Sequence, residues 1–320
     1  MEVLILLYYS KKYRILSLLI ILILIFYIIY ILNNKTFLNK EILIIDKGDT
    51  ISKIINKNYN KEFFFNKNIF KIYYYSKLIF NKKYIHYGEF LINKNLSYIE
   101  LLQVISKPSN ILNKITIIEG WTKEDLNKEL SKHFKNFYQI DYTDILADTY
   151  YFQKNENFEK FINRIKEFKY NYFKQFKDNE FFNNYSEKDL LIIGSLLEKE
   201  GTDYKDKKKI SSVIFNRLEK NMRLQIDATV LYALTNGSYK LKRDLNLEDL
   251  KIKNPYNTYK IKGLPPNPIC FVGTKTVDIL MEEYKTDYLF YFYNKNLKKH
   301  IFTKNFSDHK KKLNEYRNTK

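Results

Sequence analysis

The longest unbroken apolar stretch runs from Ile15 to Leu32 and holds no charged residue. As a helix it reaches about 27 Å at roughly 1.5 Å per residue, enough to cross the hydrocarbon core of a bilayer. It exceeds the apolar core of a signal peptide, and Asn33-Asn34-Lys35 follows it where a small-residue cleavage site would stand, so the pattern predicts an uncleaved anchor. Lys11, Lys12 and Arg14 precede the run, and Lys35, Lys40 and Lys47 follow it. The positive-inside comparison is a tie by number, and the tighter trio leans towards a cytoplasmic N-terminus with an exported body.

Past the anchor the pattern shortens. Glu41 to Asp46 reads as a strand leaving through the turn Lys47-Gly48-Asp49, and Thr50 to Ile55 as a short helix with Ile51, Ile54 and Ile55 on one side. Gly88 to Ile92 reads as a second strand, and Tyr98 to Ile105 as a helix closing before Pro108. Ile115 to Ile118 reads as a strand, and Thr122 with Asp125 as a capping box that starts another helix. Trp121, the sole tryptophan, reads as a packing residue at that helix start, with ligand stacking as the alternative. Residues 134 to 185 are rich in Phe, Tyr, Lys and Asn and read as helical. The expected fold class is α+β: an N-terminal transmembrane helix (1–33), a small α+β subdomain (42–110) and a mixed α/β domain (111–320).

The last of these carries the chemistry. Ser186 and Asp189 form a capping box ahead of Leu190 to Leu197, a helix apolar on nearly every side and therefore expected to be buried. Its stripe of Leu190, Ile193, Gly194 and Leu197 continues into Glu198, with Gly201 placed to stop the helix. Burial and the negative end of the helix dipole both raise a carboxyl pKa, and a carboxylic acid kept protonated near neutral pH is what glycosidic cleavage needs as general acid. The alternative is a solvated last turn in which Glu198 pairs with a lysine. Glu200 points elsewhere on the helical wheel and reads as a bystander.

A second helix starts near Thr202 or Asp203, with Ile210, Val213, Ile214 and Leu218 on its packed face and Asn216 and Arg217 beside it. Arg223, Gln225 and Asp227 then alternate with Leu224 and Ile226, which fits an extended segment showing donors and acceptors on one side, as a sugar cleft requires. Solvated loop residues are the other reading. Four of the five prolines fall between Asn254 and Ile269 and mark a shaped loop. There Tyr256 and Tyr259 are placed to stack on sugars and Asn257 and Thr258 to bond hydroxyls, unless the segment is a plain structural turn.

Composition removes several classes. With 55 Lys+Arg against 36 Asp+Glu the formal charge is +19, but it is spread along the chain and accompanies an excess of residues with AT-rich codons, so no nucleic-acid partner is expected. Eight separated glycines write no phosphate-binding loop, the single Cys270 forms no internal disulfide, and four scattered histidines give no zinc or triad spacing.

Taken in order, Ser195-Leu196-Leu197-Glu198-Lys199-Glu200, Phe215-Asn216-Arg217-Leu218, Met222-Arg223-Leu224-Gln225 with Asp227, Tyr256-Asn257-Thr258-Tyr259 and Gly263-Leu264-Pro265-Pro266 resemble the YceG-like family of endolytic murein transglycosylases. Glu119-Gly120 and Asp148-Thr149-Tyr150 extend the resemblance to roughly residues 42 to 315. Gly201 stands where that pattern usually has Thr, and Ile226 and Ala228 replace Thr and Pro. The resemblance implies a single-pass inner-membrane protein with a cytoplasmic N-terminus and a periplasmic catalytic domain, a LysM-like subdomain at 42–110 and a YceG-like catalytic domain at 111–320. It implies cleavage of nascent peptidoglycan glycan strands between N-acetylmuramic acid and N-acetylglucosamine, leaving 1,6-anhydro ends, with cell-wall synthases as partners. It also implies Glu198 as sole acid and base, no metal and no cofactor, with Asn216, Arg217, Arg223, Gln225, Asp227, Tyr256, Asn257, Thr258 and Tyr259 lining the substrate. The rival reading is a catalytically silent, membrane-tethered glycan-binding scaffold.

Overall fold

The structure, a computed structural model, describes residues 2–37, 42–46, 48–58, 64–82, 84–92, 95–154, 156–179 and 184–318. It opens on one helix, α1 (Glu2–Asn33), of which Tyr13–Asn33 is long and apolar enough to cross a membrane. From Ile15 to Tyr30 its large apolar side chains are exposed, whereas Ile31 and Leu32 are buried. The chain divides into two compact units, residues 1–113 with 151–156 and residues 114–150 with 157–320.

In the first unit β1 (Lys35–Phe37) pairs antiparallel with a later strand, β4 (Asn95–Ser97). Likewise β2 (Ile42–Ile45) pairs antiparallel with β3 (Gly88–Leu91). Along β2, Leu43 and Ile45 turn inward while Ile42 and Ile44 face out, the two-residue alternation of a half-buried strand. α2 (Ile51–Asn58) buries Ile51, Ile54 and Ile55. The next helix, α3 (Phe64–Asn81), is absent from the sequence reading; its Phe70 stacks on Tyr98, the first residue of α4 (Tyr98–Ile105), with ring centroids 4.8 Å apart. Ser97 and Glu100 form the capping box of α4. The sequence reading separates the anchor from this unit, but Ile31 and Leu32 join the same core as Leu43, Ile55 and Phe70. Two short two-stranded sheets supply little apolar area, and the end of α1 adds to it.

In the second unit the chain passes through β5 (Asn113–Thr116) and α5 (Lys123–Leu130), whose N-cap Thr122 forms a capping box with Asp125. Trp121 is half-buried, as a packing residue at that helix start should be. The expected helix from 134 to 185 is only partly realised: residues 134–148 are irregular, β6 (Thr149–Phe152) pairs with β5, and the helix is α6 (Phe158–Lys174). Ile140, Tyr142, Ile145 and Leu146 are buried one by one by turns, a packing that no helical period describes.

The core of this unit is α7 (Glu187–Glu200), with Leu190 to Leu197 all buried. Against it pack α8 (Tyr204–Glu219) and α10 (Thr274–Met281), with α9 (Asp227–Thr235) between them in sequence. The segment 269–273 crosses α7 at its small residues. The Ile269 amide donates to Ser195 Oγ at 3.0 Å, and a Cβ on Gly194 would lie 2.7 Å from Val272 Cγ1, so only glycine admits this approach. The same segment meets Gly120 and Trp121 on its other edge, through the Gly120 amide to the Phe271 carbonyl and the Phe271 amide to the Trp121 carbonyl, each at 2.9 Å. A hairpin of β7 (Phe290–Asn294) and β8 (Lys299–Thr303), followed by α11 (Phe306–Asn318), completes the unit.

Candidate active site

Two carboxylates leave the end of α7 in different directions and meet opposite chemistry. Glu198, at the foot of the apolar stripe, is buried as its position on the wheel requires, with 2% of its side chain exposed. Its Oε2 lies 2.5 Å from Lys207 Nζ, and its Oε1 accepts the Gly273 amide at 3.0 Å. Lys207 in turn donates to Thr276 Oγ1 at 3.0 Å. Glu198 is therefore a strut that joins α7 to α8 and to the start of α10, with both oxygens occupied. The side chain expected from the sequence as a free acid thus has Lys207 and the Gly273 amide as partners, the lysine pairing that the sequence offered as the alternative. The helical wheel placed the side chain in the core, and a charge that reaches a core must find a partner there. Gly201 belongs to the same arrangement: its φ is −77°, and a Cβ there would collide with the Lys207 side chain on its way to Glu198. Its role is space for Lys207 and not a left-handed helix stop.

Glu200, the expected bystander, closes α7 against the start of α9 and the β7–β8 hairpin. Burial and the neighbouring Asp227 charge push its carboxyl up to about 7, while His300, the Ala228 amide and the Tyr291 hydroxyl pull the other way. Tyr291 Oη donates to Glu200 Oε2 at 3.4 Å. Asp227, the first residue of α9, is exposed and accepts a 2.6 Å hydrogen bond from Tyr259 Oη. Burial, followed by that bond to Asp227, raises the Tyr259 hydroxyl well above its ordinary value, so it stays a donor. A carboxylic acid that titrates near neutrality beside a fixed carboxylate is the pairing that acid–base chemistry on glycosides uses.

The other expected site residues separate into two groups. Arg223, Gln225 and Asp227 are exposed and alternate with buried Leu224 and Ile226, as the two-residue spacing predicts. Tyr256 and Tyr259 are half-buried, Tyr256 with its ring 4.7 Å from that of Tyr232. The remainder face inward. Asn257 donates to the carbonyls of Leu250 (3.1 Å) and Ile252 (2.8 Å). Thr258 Oγ1 accepts the Ile226 amide at 2.9 Å and lies 2.8 Å from Thr229 Oγ1. Asn216 donates to the carbonyls of Thr286 and Tyr288. Arg217 donates through Nε to Leu289 O (2.6 Å) and through Nη1 to Arg223 O (3.2 Å) and Leu224 O (2.6 Å). Asn216, Arg217, Asn257 and Thr258 thus brace the segments that carry Asp227 and Tyr291. Irregular chain near a site leaves buried carbonyls, and amide and guanidinium side chains are what satisfies them.

Three contributors were missed from sequence: Tyr291, His300 and Asp206. His300 Nδ1 lies 2.8 Å from Asp206 Oδ2, and its ring packs edge-on against Tyr291 at 5.4 Å. The alternation Phe290-Tyr291-Phe292-Tyr293 before a polar turn was the available hairpin signal. Two small pockets flank Tyr232 and share it. One, of about 160 Å³, is lined by Lys123, Asp141, Tyr142, Tyr256 and Asn267, and the other, of about 190 Å³, by Thr122, Lys199, Ala228, Leu231 and Lys240. Glu200 lines neither; Ala228, whose amide faces it, is the link to the second.

Residues 43–315 match the model of the YceG-like family. Over 149 residues, 47% of this chain and 40% of the relative, the sequence is 41% identical to an endolytic murein transglycosylase of Bacillus subtilis. Over 139 residues, 43% of this chain and 25% of the relative, it is 33% identical to an endolytic murein transglycosylase of Streptococcus pneumoniae. The matched part thus spans less than half the length of these relatives. A crystal structure titled as a putative YceG-like protein from Listeria monocytogenes aligns with a TM-score of 0.54 at 25% identity, covering 84% of this chain and 98% of that one. With the family pattern running through both units and through the end of α7, the chain belongs to the YceG-like family.

Proposed function

We propose that this protein is a membrane-anchored endolytic transglycosylase that cuts peptidoglycan glycan strands between N-acetylmuramic acid and N-acetylglucosamine. The observation that carries the reading is Glu200: a carboxyl that accepts a hydrogen bond from Tyr291 and is raised to about 7 by burial and by Asp227, itself held by Tyr259. Protonated Glu200 gives its proton to the bridging oxygen as the bond from muramoyl C1 breaks. The muramoyl 6-hydroxyl then bonds to C1, and the Glu200 carboxylate takes the hydroxyl proton. The products are a 1,6-anhydro end and a free hydroxyl on the leaving sugar, so atoms balance without water.

Asp227 favours the protonated starting state of Glu200. Arg223 and Gln225, exposed on the same stretch, are offered as substrate contacts together with Tyr256 and Tyr259. The anchor α1 holds the body on the periplasmic side of the inner membrane, close to where nascent strands emerge, and cell-wall synthases are its expected neighbours. The small unit at 42–110 is read as LysM-like and glycan-binding.

The test is direct. Full-length protein in detergent, incubated with long uncrosslinked glycan strands, should shift their length distribution from the interior, giving mid-sized fragments early. An unchanged distribution would favour the silent scaffold; disaccharide release from the ends would contradict endolytic cutting.

A further inference from the structure

Behind Glu200 stands a set of buried polar groups that the reaction above does not use. Asp206, in the first turn of α8, accepts the Thr202 amide (3.0 Å) and hydroxyl (3.1 Å) and meets His300 Nδ1 at 2.8 Å. Only 4% of the His300 side chain and 10% of the Asp206 side chain are exposed. Burial pushes the Asp206 carboxyl up, but the bonds from His300 and Thr202 outweigh it and hold the group below the usual carboxylate range. An ionised Asp206 accepts from His300 Nδ1 and so fixes the orientation of the ring. His300 packs against the Tyr291 ring, and Tyr291 reaches Glu200. The line Asp206, His300, Tyr291, Glu200 is thus continuous and runs from α8 across both strands of the hairpin to the acid.

We propose that Asp206, His300 and Tyr291 form a positioning arm that keeps Glu200 able to release its proton, so that one carboxyl can act as acid and then as base. The inference rests on Glu200 being the acid. Every other group around it bears on the same balance. Asp227 from α9 and burial hold the proton on, and the Ala228 amide, the Tyr291 hydroxyl and His300 draw it off. Tyr259 reaches Asp227 from the proline-rich loop, and Arg217 of α8 acts on Tyr259 and Tyr291. Without the arm the pull of His300 and of the Tyr291 hydroxyl is lost, and the Ala228 amide is left against Asp227 and burial. Glu200 would then stay protonated over a wider range and would be a poor base.

A pH profile distinguishes this from a merely structural role. In kcat/KM the alkaline limb reports the free-enzyme acid. His300→Gln and Asp206→Asn, assayed as full-length protein on glycan strands, should each move that limb to higher pH by about one unit, with a lower kcat at neutral pH. Tyr291→Phe, which keeps the ring on His300 and removes only the hydroxyl, should move it the same way by less; it carries the test if either buried variant fails to fold. A limb unmoved in every folded variant overturns the arm, even if activity falls. Glu200→Gln reports separately on the parent reading: if that variant stays active, the acid is misassigned whatever the limb does.

Discussion

Glu200→Gln should abolish strand cleavage, lowering the rate by about 10²–10⁴-fold, while the chain folds normally. The amide keeps the shape and still accepts from Tyr291, but it has no proton to give and take. The same variant should be more stable than its parent at alkaline pH. A free Glu carboxyl titrates near 4.5, and folded Glu200 near 7. Between those values the folded state holds a proton that the unfolded state has lost, so the contribution is fully present below about pH 4.5 and is lost as pH rises through about 7. The difference corresponds to roughly 3 kcal/mol at most. Unfolding followed by near-ultraviolet circular dichroism should therefore show the variant's advantage growing from about pH 5 to about pH 8. Glu198→Gln should do the reverse: it strands Lys207 in the core and destabilises by about 3 kcal/mol or more, yet the folded fraction should still cut strands. An inactive but fully stable Glu198→Gln would return the acid to that position.

The second large effect concerns Arg217→Ala. The buried guanidinium serves three carbonyls and the Phe290 ring, which lies 5.2 Å from its carbon. Removing it deletes two short charge-assisted hydrogen bonds worth about 1.5–3 kcal/mol each, so a loss of about 3–6 kcal/mol is expected. Arg217→Lys should recover only part, because an ammonium cannot reach Leu289 and Leu224 at once. A sugar-binding arginine would behave otherwise: Arg217→Ala would keep its unfolding midpoint and raise KM. Denaturant midpoints for both variants decide between brace and ligand.

Arg217 also marks where sequence reading stops. Local rules found what is local. The capping boxes at Ser186 and Thr122, the buried face of α7, the packed stripe of α8 and the alternation of Arg223, Gln225 and Asp227 all follow from spacing within one element. What spacing cannot give is which element arrives from far along the chain. Glu200 is made special by α9, 27 residues on, and by Tyr291, 91 residues on. Glu198 is met by Lys207, nine residues on, and by the Gly273 amide, 75 residues on. A wheel reports that a side chain is buried, but not whether its partner is a lysine or a substrate. The same holds for Asn257 and Thr258, whose polar groups suit a ligand as well as they suit the carbonyl of Ile252 and the amide of Ile226.

The central claim is that one carboxyl, Glu200, cleaves the strand without water. Digestion of glycan strands in ¹⁸O-labelled water, with mass spectrometry of the new ends, tests it most directly. The account predicts 1,6-anhydro ends that carry no label, and no products from Glu200→Gln. Labelled reducing ends would contradict it, making the enzyme a hydrolase and giving Asp227 the part of a second catalytic carboxylate.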